Sequence, residues 1–329
     1  MKVRELGEFG LIEHLSEIVR GASGGDLVLG IGDDAAVWRT DGALEVGTTD
    51  VLIEDVHFRL SSATWLDLGW KALAINISDI AAMGGSPRYA LVSLALPPET
   101  EVDDVTELYR GLAEVAVEFG VQVAGGNIST APIVIISVSL VGKATDAILT
   151  RSAALPGDQI AVTGCLGQSA AGLRVLSSEL EVDRETSAFL RKAHLRPYPR
   201  VAEGQELARH GVKAAIDISD GLISDLAHIG KASRAAAKVW LDRLPIHPMV
   251  QASFGEESRK LALSGGEDYE LLFTARREVI DQVGKVMSTP ITVIGEMVEG
   301  DPGRVTVLDE HGREVECEVA WGWEHFKSS

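Results

Sequence analysis

Residues 119 to 142 carry no formal charge, a run long enough to cross a bilayer if it were one apolar helix. Its contents argue against that. Gln122, Ser129, Thr130 and Pro132 interrupt it, and Gly125-Gly126-Asn127 reads as a turn. The remainder, residues 133–141, is a β-branched run with Ser137 and Ser139 interspersed. The stretch is expected to form two buried strands joined by a loop, in a soluble protein.

The rest of the chain has the same α and β interleaving. In the first half, strands are expected at 43–48 and 88–96, the latter stopped by Pro97-Pro98, with helices at 65–83 and 103–119. The helix at 65–83 places Trp70, Leu73, Ile77 and Ile80 on one stripe and ends at Gly84-Gly85. A break over 143–157 gathers Arg151, Pro156 and Gly157. Beyond it the pattern restarts. Strands are expected at 159–163, 214–218, 238–241, 269–274 and 291–294, and helices within 168–210, 222–232 and 276–286. The tail over 304–319 reads as a hairpin turning at Glu310-His311-Gly312. With 329 residues, about two α/β domains are expected, divided as 1–145 and 146–329. Ile77-Ser78-Asp79-Ile80 weakly echoes Ile218-Ser219-Asp220-Gly221, and Ala124-Gly125-Gly126-Asn127 echoes Ser264-Gly265-Gly266-Glu267, so a duplicated unit is plausible.

Charge narrows the partners. Lys plus Arg is 30 and Asp plus Glu is 49, so the formal charge is 30 − 49 = −19. That sign disfavours duplex nucleic acid and anionic membranes. Cys165 and Cys317 are too few for a disulfide framework or a cysteine zinc site, and no apolar core follows Met1-Lys2-Val3-Arg4-Glu5. A reduced, cytoplasmic setting is expected.

The acids are not scattered evenly. Asp33 and Asp34 follow Gly30-Ile31-Gly32, and Asp50 follows Thr48-Thr49 at the end of an expected strand. Asn127 follows a Gly-Gly pair, Asp217 and Asp220 bracket Ile218-Ser219, and Glu267 follows Gly265-Gly266. Taken singly, each is an ordinary turn or helix cap. Asp79 is different: it sits among Ile77, Ile80, Ala81 and Ala82, where an unpaired buried charge is expensive. Together these hard oxygen donors suit Mg²⁺ bridging phosphates. No Walker loop, dinucleotide fingerprint, zinc spacing or nucleophile elbow is present.

At these residues the chain resembles the thiamine-monophosphate kinase family, within the aminoimidazole-ribonucleotide-synthetase-like superfamily. Gly7-Glu8-Phe9, Gly30-Ile31-Gly32-Asp33-Asp34, Thr48-Thr49-Asp50 with His57 beyond it, and Asn76-Ile77-Ser78-Asp79-Ile80-Ala81-Ala82-Met83-Gly84 carry the resemblance. So do His194-Leu195-Arg196-Pro197, Asp217-Ile218-Ser219-Asp220-Gly221-Leu222, Gly265-Gly266-Glu267-Asp268-Tyr269-Glu270 and Trp323-Glu324-His325-Phe326. The resemblance implies two α/β domains in a homodimer, with N-terminal sheets forming a barrel across the dimer interface. The implied activity is ATP-dependent phosphorylation of thiamine phosphate to thiamine diphosphate. The implied Mg²⁺ ligands are Asp34, Thr48, Thr49, Asp50, Asp79, Asn127, Asp217 and Asp220. Tyr109, Gly126, Asn127, Arg151 and Ser219 would meet ATP, and His57, Glu267 and Trp323 the thiamine phosphate.

Plainer readings stand beside these. His57 could satisfy a loop carbonyl, Arg151 a surface ion pair, Trp323 the packing of the tail, and Tyr109 the core. Asn127 stands where many family members carry Asp. The first Cys is Cys165 and the chain ends His325-Phe326-Lys327-Ser328-Ser329, unlike a selenophosphate synthetase or a hydrogenase-maturation relative. An aminoimidazole-ribonucleotide-synthetase-like enzyme and a catalytically silent nucleotide-binding protein remain as alternatives. The acceptor is a phosphate monoester, mostly dianionic at pH 7, and so already a nucleophile. No general base is expected; the task is to bring two anions together in line.

Overall fold

The computed structural model describes residues 3–19, 26–144, 147–177 and 180–315. Its first part runs α1 (Val3–Val19), β1 (Leu27–Leu29), β2 (Ala36–Thr40), β3 (Ala43–Ile53), α2 (Trp65–Ala82), β4 (Ser86–Leu96), α3 (Val102–Phe119), β5 (Gln122–Thr130) and β6 (Ile135–Ala144). The strands form one mixed sheet in the order β1-β2-β3-β6-β4-β5. β3 pairs antiparallel with β6 over its whole length, and β5 lies parallel to β4 at the edge.

The second part runs β7 (Gln159–Thr163), α4 (Gln168–Leu176), α5 (Arg184–Leu195), α6 (Val201–Arg209), β8 (Ala214–Asp217), α7 (Leu222–Ser233) and β9 (Ala236–Trp240). It continues through α8 (Pro248–Phe254), α9 (Glu257–Ser264), β10 (Leu271–Ala275), α10 (Arg277–Val283), β11 (Ile291–Val298) and β12 (Val305–Leu308). These strands form a second mixed sheet, ordered β12-β9-β11-β7-β10-β8. The protein thus contains two α/β units.

The helix α2 is the spine of the molecule. Thr64 caps its start, accepting from the Asp67 amide at 3.1 Å while its hydroxyl donates to the Asp67 carboxylate at 2.7 Å. Nearly every side chain from Leu68 to Ala82 is buried, as expected of a helix that is apolar all round. It packs against α3 at backbone contact. A Cβ on Gly69 would lie 1.9 Å from the Leu108 carbonyl oxygen, and one on Gly111 would lie 1.9 Å from that of Leu66. Only glycine at both positions permits this approach.

Three expectations change. The strand at 43–48 continues to Ile53, so Asp50 lies inside a strand and not at its end. Gly125-Gly126-Asn127 is not a turn between buried strands; it lies within β5, whose nine residues are all exposed. The weak internal echo is not a structural repeat. Ile77–Ile80 is helical but its counterpart follows β8 as a loop, and Ala124–Asn127 is strand but its counterpart is the last residue of α9 and the loop after it. The tail does turn at Asp309–Arg313, and Val315 donates to the Val307 carbonyl at 2.9 Å; the expected hairpin beyond 315 lies outside the described residues. Among the described residues no helix is long and apolar enough to cross a membrane.

Candidate functional site

Two faces of α2 carry polar side chains in different directions. Asn76 and Asp79 turn toward β3: the Asp50 amide donates to Asn76 Oδ1 at 3.1 Å, and Thr48 Oγ1 donates to Asp79 Oδ2 at 2.5 Å. Lys71 and Ser78, two helical turns apart, turn toward the second half. Ser78 Oγ donates to Asp217 Oδ2 at 2.5 Å, at the end of β8. The helix therefore delivers Asp79 to the point where both sheets meet it.

There Asp34, Asp79 and Asp217 each offer an oxygen, and these atoms all lie within 4.8 Å of one another. The Asp50 carboxyl lies close enough to act on Asp79 beside them. Burial, followed by the charges of Asp50, Asp217 and Asp34, pushes the Asp79 carboxyl well above the usual carboxylate range. Burial and then Asp34 push Asp217 up to about 8. Burial also raises Asp50, and it raises Asp34 against the opposing pull of Arg151. Like charges this close do not all ionise unless a cation joins them. Asp34 Oδ2 is buried with no hydrogen-bond partner, a hard oxygen left available to a cation. The donor set fits Mg²⁺.

Arg151 closes one side from the segment between the two sheets. Its Nη2 donates to Asp34 Oδ1 at 2.6 Å, and its backbone amide donates to the Asp33 carboxylate at 3.1 Å. Burial, then the neighbouring Asp34, raises Asp33 to about 6. Arg151 is thus no surface ion pair. Asp220 lies on the loop after β8; its amide and that of Gly221 donate to Asp225 Oδ2 at 3.2 and 3.0 Å, at the start of α7.

The Gly-Gly-Glu loop approaches from the other side. The Glu267 amide donates to the Ser219 carbonyl at 2.8 Å, locking this loop to the one that carries Asp220. Glu267 itself has a left-handed backbone, φ 65°, uncommon for a non-glycine residue. Its Oε1 lies 2.8 Å from Lys71 Nζ and its Oε2 3.3 Å from His194 Nδ1. Burial works against ionisation of Glu267, but Lys71, His194 and His57 outweigh it and hold the carboxyl below its usual range. His57 Nδ1 accepts from the Ile53 amide at 3.0 Å, which holds one side of the ring to the backbone.

Not every expected residue joins this arrangement. Thr49 pairs with Ser139 on the opposite side of the sheet from Asp50, and its hydroxyl donates to the Val138 carbonyl. Asn127 stands in register with Ser93 and, through β6, with Ser137 and Val51, again on the side away from Asp50. Gly126 lies beside Val92; a Cβ there would be 1.8 Å from the Val92 carbonyl oxygen. Tyr109 is partly exposed and lines a hollow of about 700 Å³ between α3 and β5, together with Pro97, Ile128 and Thr130. It is not a core side chain. Trp323 lies outside the described residues. Sequence reasoning passed over Asn76, Lys71 and Asp225. Lys71 had a legible signal, since a lysine inside an apolar helix raises the same objection as Asp79.

Residues 32–144 match the N-terminal domain of AIR synthase related proteins, and residues 156–308 match their C-terminal domain. The chain is 36% identical to the thiamine-monophosphate kinase of Aquifex aeolicus (strain VF5), covering 99% of this chain and 100% of that one. It is 39% identical to the thiamine-monophosphate kinase of Escherichia coli (strain K12), covering 97% and 98%. Its fold superposes on a structure of AaThiL complexed with AMPPCP and TMP with a TM-score of 0.87, at 36% identity and 99% coverage of both chains. The chain belongs to the thiamine-monophosphate kinase family.

Proposed function

We propose that this protein transfers the γ-phosphoryl group of ATP to thiamine phosphate, giving thiamine diphosphate and ADP. The observation that carries the reading is the buried cluster of Asp34, Asp79 and Asp217, with an unpartnered Asp34 oxygen, in a member of this family. Asp34, Thr48, Asp50, Asp79, Asp217 and Asp220 would hold several Mg²⁺ ions. When bound, Mg²⁺ supplies charge neutralisation for the two phosphate groups. The residues of the chain do the positioning. Arg151 offers a guanidinium at the edge of the cluster, matched to a phosphate oxygen. Ser219 and Glu267 fasten two loops together, which fixes the distance between the nucleotide side and the acceptor side. His57 and Glu267, with Trp323, would hold the thiamine phosphate. No side chain is asked to remove a proton, because the acceptor oxygen is already anionic.

The residues on β5 take their place in a homodimer. In one chain Asn127 lies three strands from β3, about 14 Å at ordinary strand spacing, and on the other side of the sheet. Among the described residues the outer edge of β5 is unpaired, and Tyr89, Leu91 and Ile128 are 50%, 51% and 68% exposed nearby. We read this edge as the interface where two N-terminal sheets close into a barrel, with Tyr109, Gly126, Asn127 and Thr49 serving the composite site. On this reading residues 1–145 dimerise and bind metal and nucleotide, and residues 146–329 complete the site. The reduced cytoplasm suits the free thiol of Cys165.

The test is product analysis after incubation with Mg-ATP and, separately, thiamine phosphate, free thiamine and other phosphomonoesters. Thiamine diphosphate should form from thiamine phosphate alone. Comparable turnover of free thiamine would overturn the reading.

A further inference from the structure

Lys71 is 2% exposed, yet it is a lysine in the middle of an apolar helix. Lysine is almost never buried this deeply unless paired. Its partner is not buried to the same degree: the Glu267 side chain is 29% exposed. An ion pair serving only packing has no reason for this asymmetry. Here the cation lies behind and the carboxylate in front, reachable from solvent. His194, with its side chain 7% exposed, supports the second oxygen from the same buried side. Burial, then the charge of Lys71, lowers His194 to about 4, so the ring is neutral at pH 7. Its Nδ1 lies 3.3 Å from Glu267 Oε2 and is hydrogen-bonded to Ser169 Oγ at 3.0 Å, so the ring is held against the carboxylate from the buried side. Each carboxylate oxygen keeps a further lone pair for a ligand.

We propose that Lys71 is a positioning residue for the acceptor: from α2 it orients Glu267 and cancels its charge, so that an ionised carboxylate receives the thiamine moiety without repelling the attached phosphate. This rests on the reading that Glu267 meets thiamine phosphate. It adds that the carboxylate is not the free anion its sequence motif suggests, and that discrimination at Glu267 comes from direction and not from net charge. The groups facing Glu267 are Lys71 from α2, His194 from α5, His57 from the segment after β3 and Tyr269 from its own loop.

The experiment measures kcat and KM separately for thiamine phosphate and ATP, from pH 5 to 9, in wild type, Lys71→Met and Lys71→Arg, with thermal melts alongside. Losing a charged hydrogen bond to the acceptor-side carboxylate should raise KM for thiamine phosphate about 10- to 100-fold. KM for ATP should stay within about twofold of wild type. The acid limb of kcat/KM for thiamine phosphate should move to higher pH in Lys71→Met, because Glu267 loses its main cation, and Lys71→Arg should recover part of both effects. If Lys71→Met does not fold, the double variant Lys71→Met/Glu267→Gln removes both charges at similar volume. It should fold, keep the raised KM for thiamine phosphate, and lose the part of the acid limb that belongs to Glu267. Parallel changes in both KM values, or an unmoved acid limb, would reduce Lys71 to a structural role. A wild type that makes no thiamine diphosphate from thiamine phosphate would instead overturn the underlying function, before any variant is compared.

Discussion

The acid cluster on α2 and the edge strand β5 are built from similar residues, polar groups set among small ones, but they end in opposite states. The cluster draws Asp34, Asp79 and Asp217 from three elements spread over both halves, and closes around them. Among the described residues the strand holds Gly126 and Asn127 with one neighbour, β4, and all nine of its residues are exposed. One region is completed when a single chain folds. The other has a backbone edge left unpaired among the described residues, which is unusual for a nine-residue strand unless something pairs with it. The comparison teaches that resemblance in composition says nothing about closure.

Breaking the closed region should have the largest effect. Asp79→Asn removes one anionic oxygen from the centre of the cluster and should lower turnover about a thousandfold at saturating Mg²⁺. It also removes an acid crowded by three others, so the metal-free variant at pH 8 should melt no lower than wild type. Steady-state assays and thermal melts check both. Near-normal turnover would mean that the cluster is not the metal centre.

A medium effect should come from pH. The carboxyls of Asp79 and Asp217 bind protons more tightly folded than unfolded, Asp217 with a folded value of about 8 against an ordinary 3.8. The favourable contribution is therefore fully present below about pH 4 and is lost as pH rises toward 8. Mg²⁺ must displace those protons at low pH but not at high pH. The rise in Tm on adding Mg²⁺ should accordingly grow from pH 5 to pH 8, and Asp79→Asn should reduce that growth. A Mg²⁺ effect independent of pH would argue that the acids are ionised in the metal-free protein.

The open region should respond most gently. Asn127 keeps a carbonyl oxygen of the same reach as an Asp, but no charge. Asn127→Asp should lower the Mg²⁺ concentration for half-maximal rate about threefold, with little change in kcat, as expected of a charge near the rim of a site. A higher Mg²⁺ requirement, or lost turnover, would show that Asn127 donates to a phosphate instead. A variant that gains kinase activity absent from wild type would favour the silent nucleotide-binding alternative.

Much of the site was legible because some residue types are costly wherever they sit. Asp79 stood out in an apolar helix on sequence alone, and the structure gives it the neighbours that justify its burial. The same argument applies to Lys71, which was passed over because its partner Glu267 is distant in sequence and comes into reach only when the second half docks on α2. Asp225 was passed over because an acid in the first turn of a helix looks like any helix start, although it holds the Asp220 loop. The error at Gly125-Gly126-Asn127 has the opposite origin. Paired glycines favour turns locally, but Gly126 is there because β5 runs against the Val92 backbone, a contact no local rule contains.

By itself the sequence determined the two-part α/β plan, through alternating apolar periods and the break near Arg151, and the oxygen chemistry of the site, through acids placed beside glycine and hydroxyl groups. Those features depend on neighbours a few residues apart. Tertiary structure alone decided which acids share one cluster, that Thr49 and Asn127 face away from Asp50, and that a buried lysine stands behind Glu267. Side-chain direction in a strand reverses with every residue, so strand limits and register must be known before a face can be assigned. The partners of a buried charge are likewise set by how distant segments pack, which the spacing of residues along the chain does not contain.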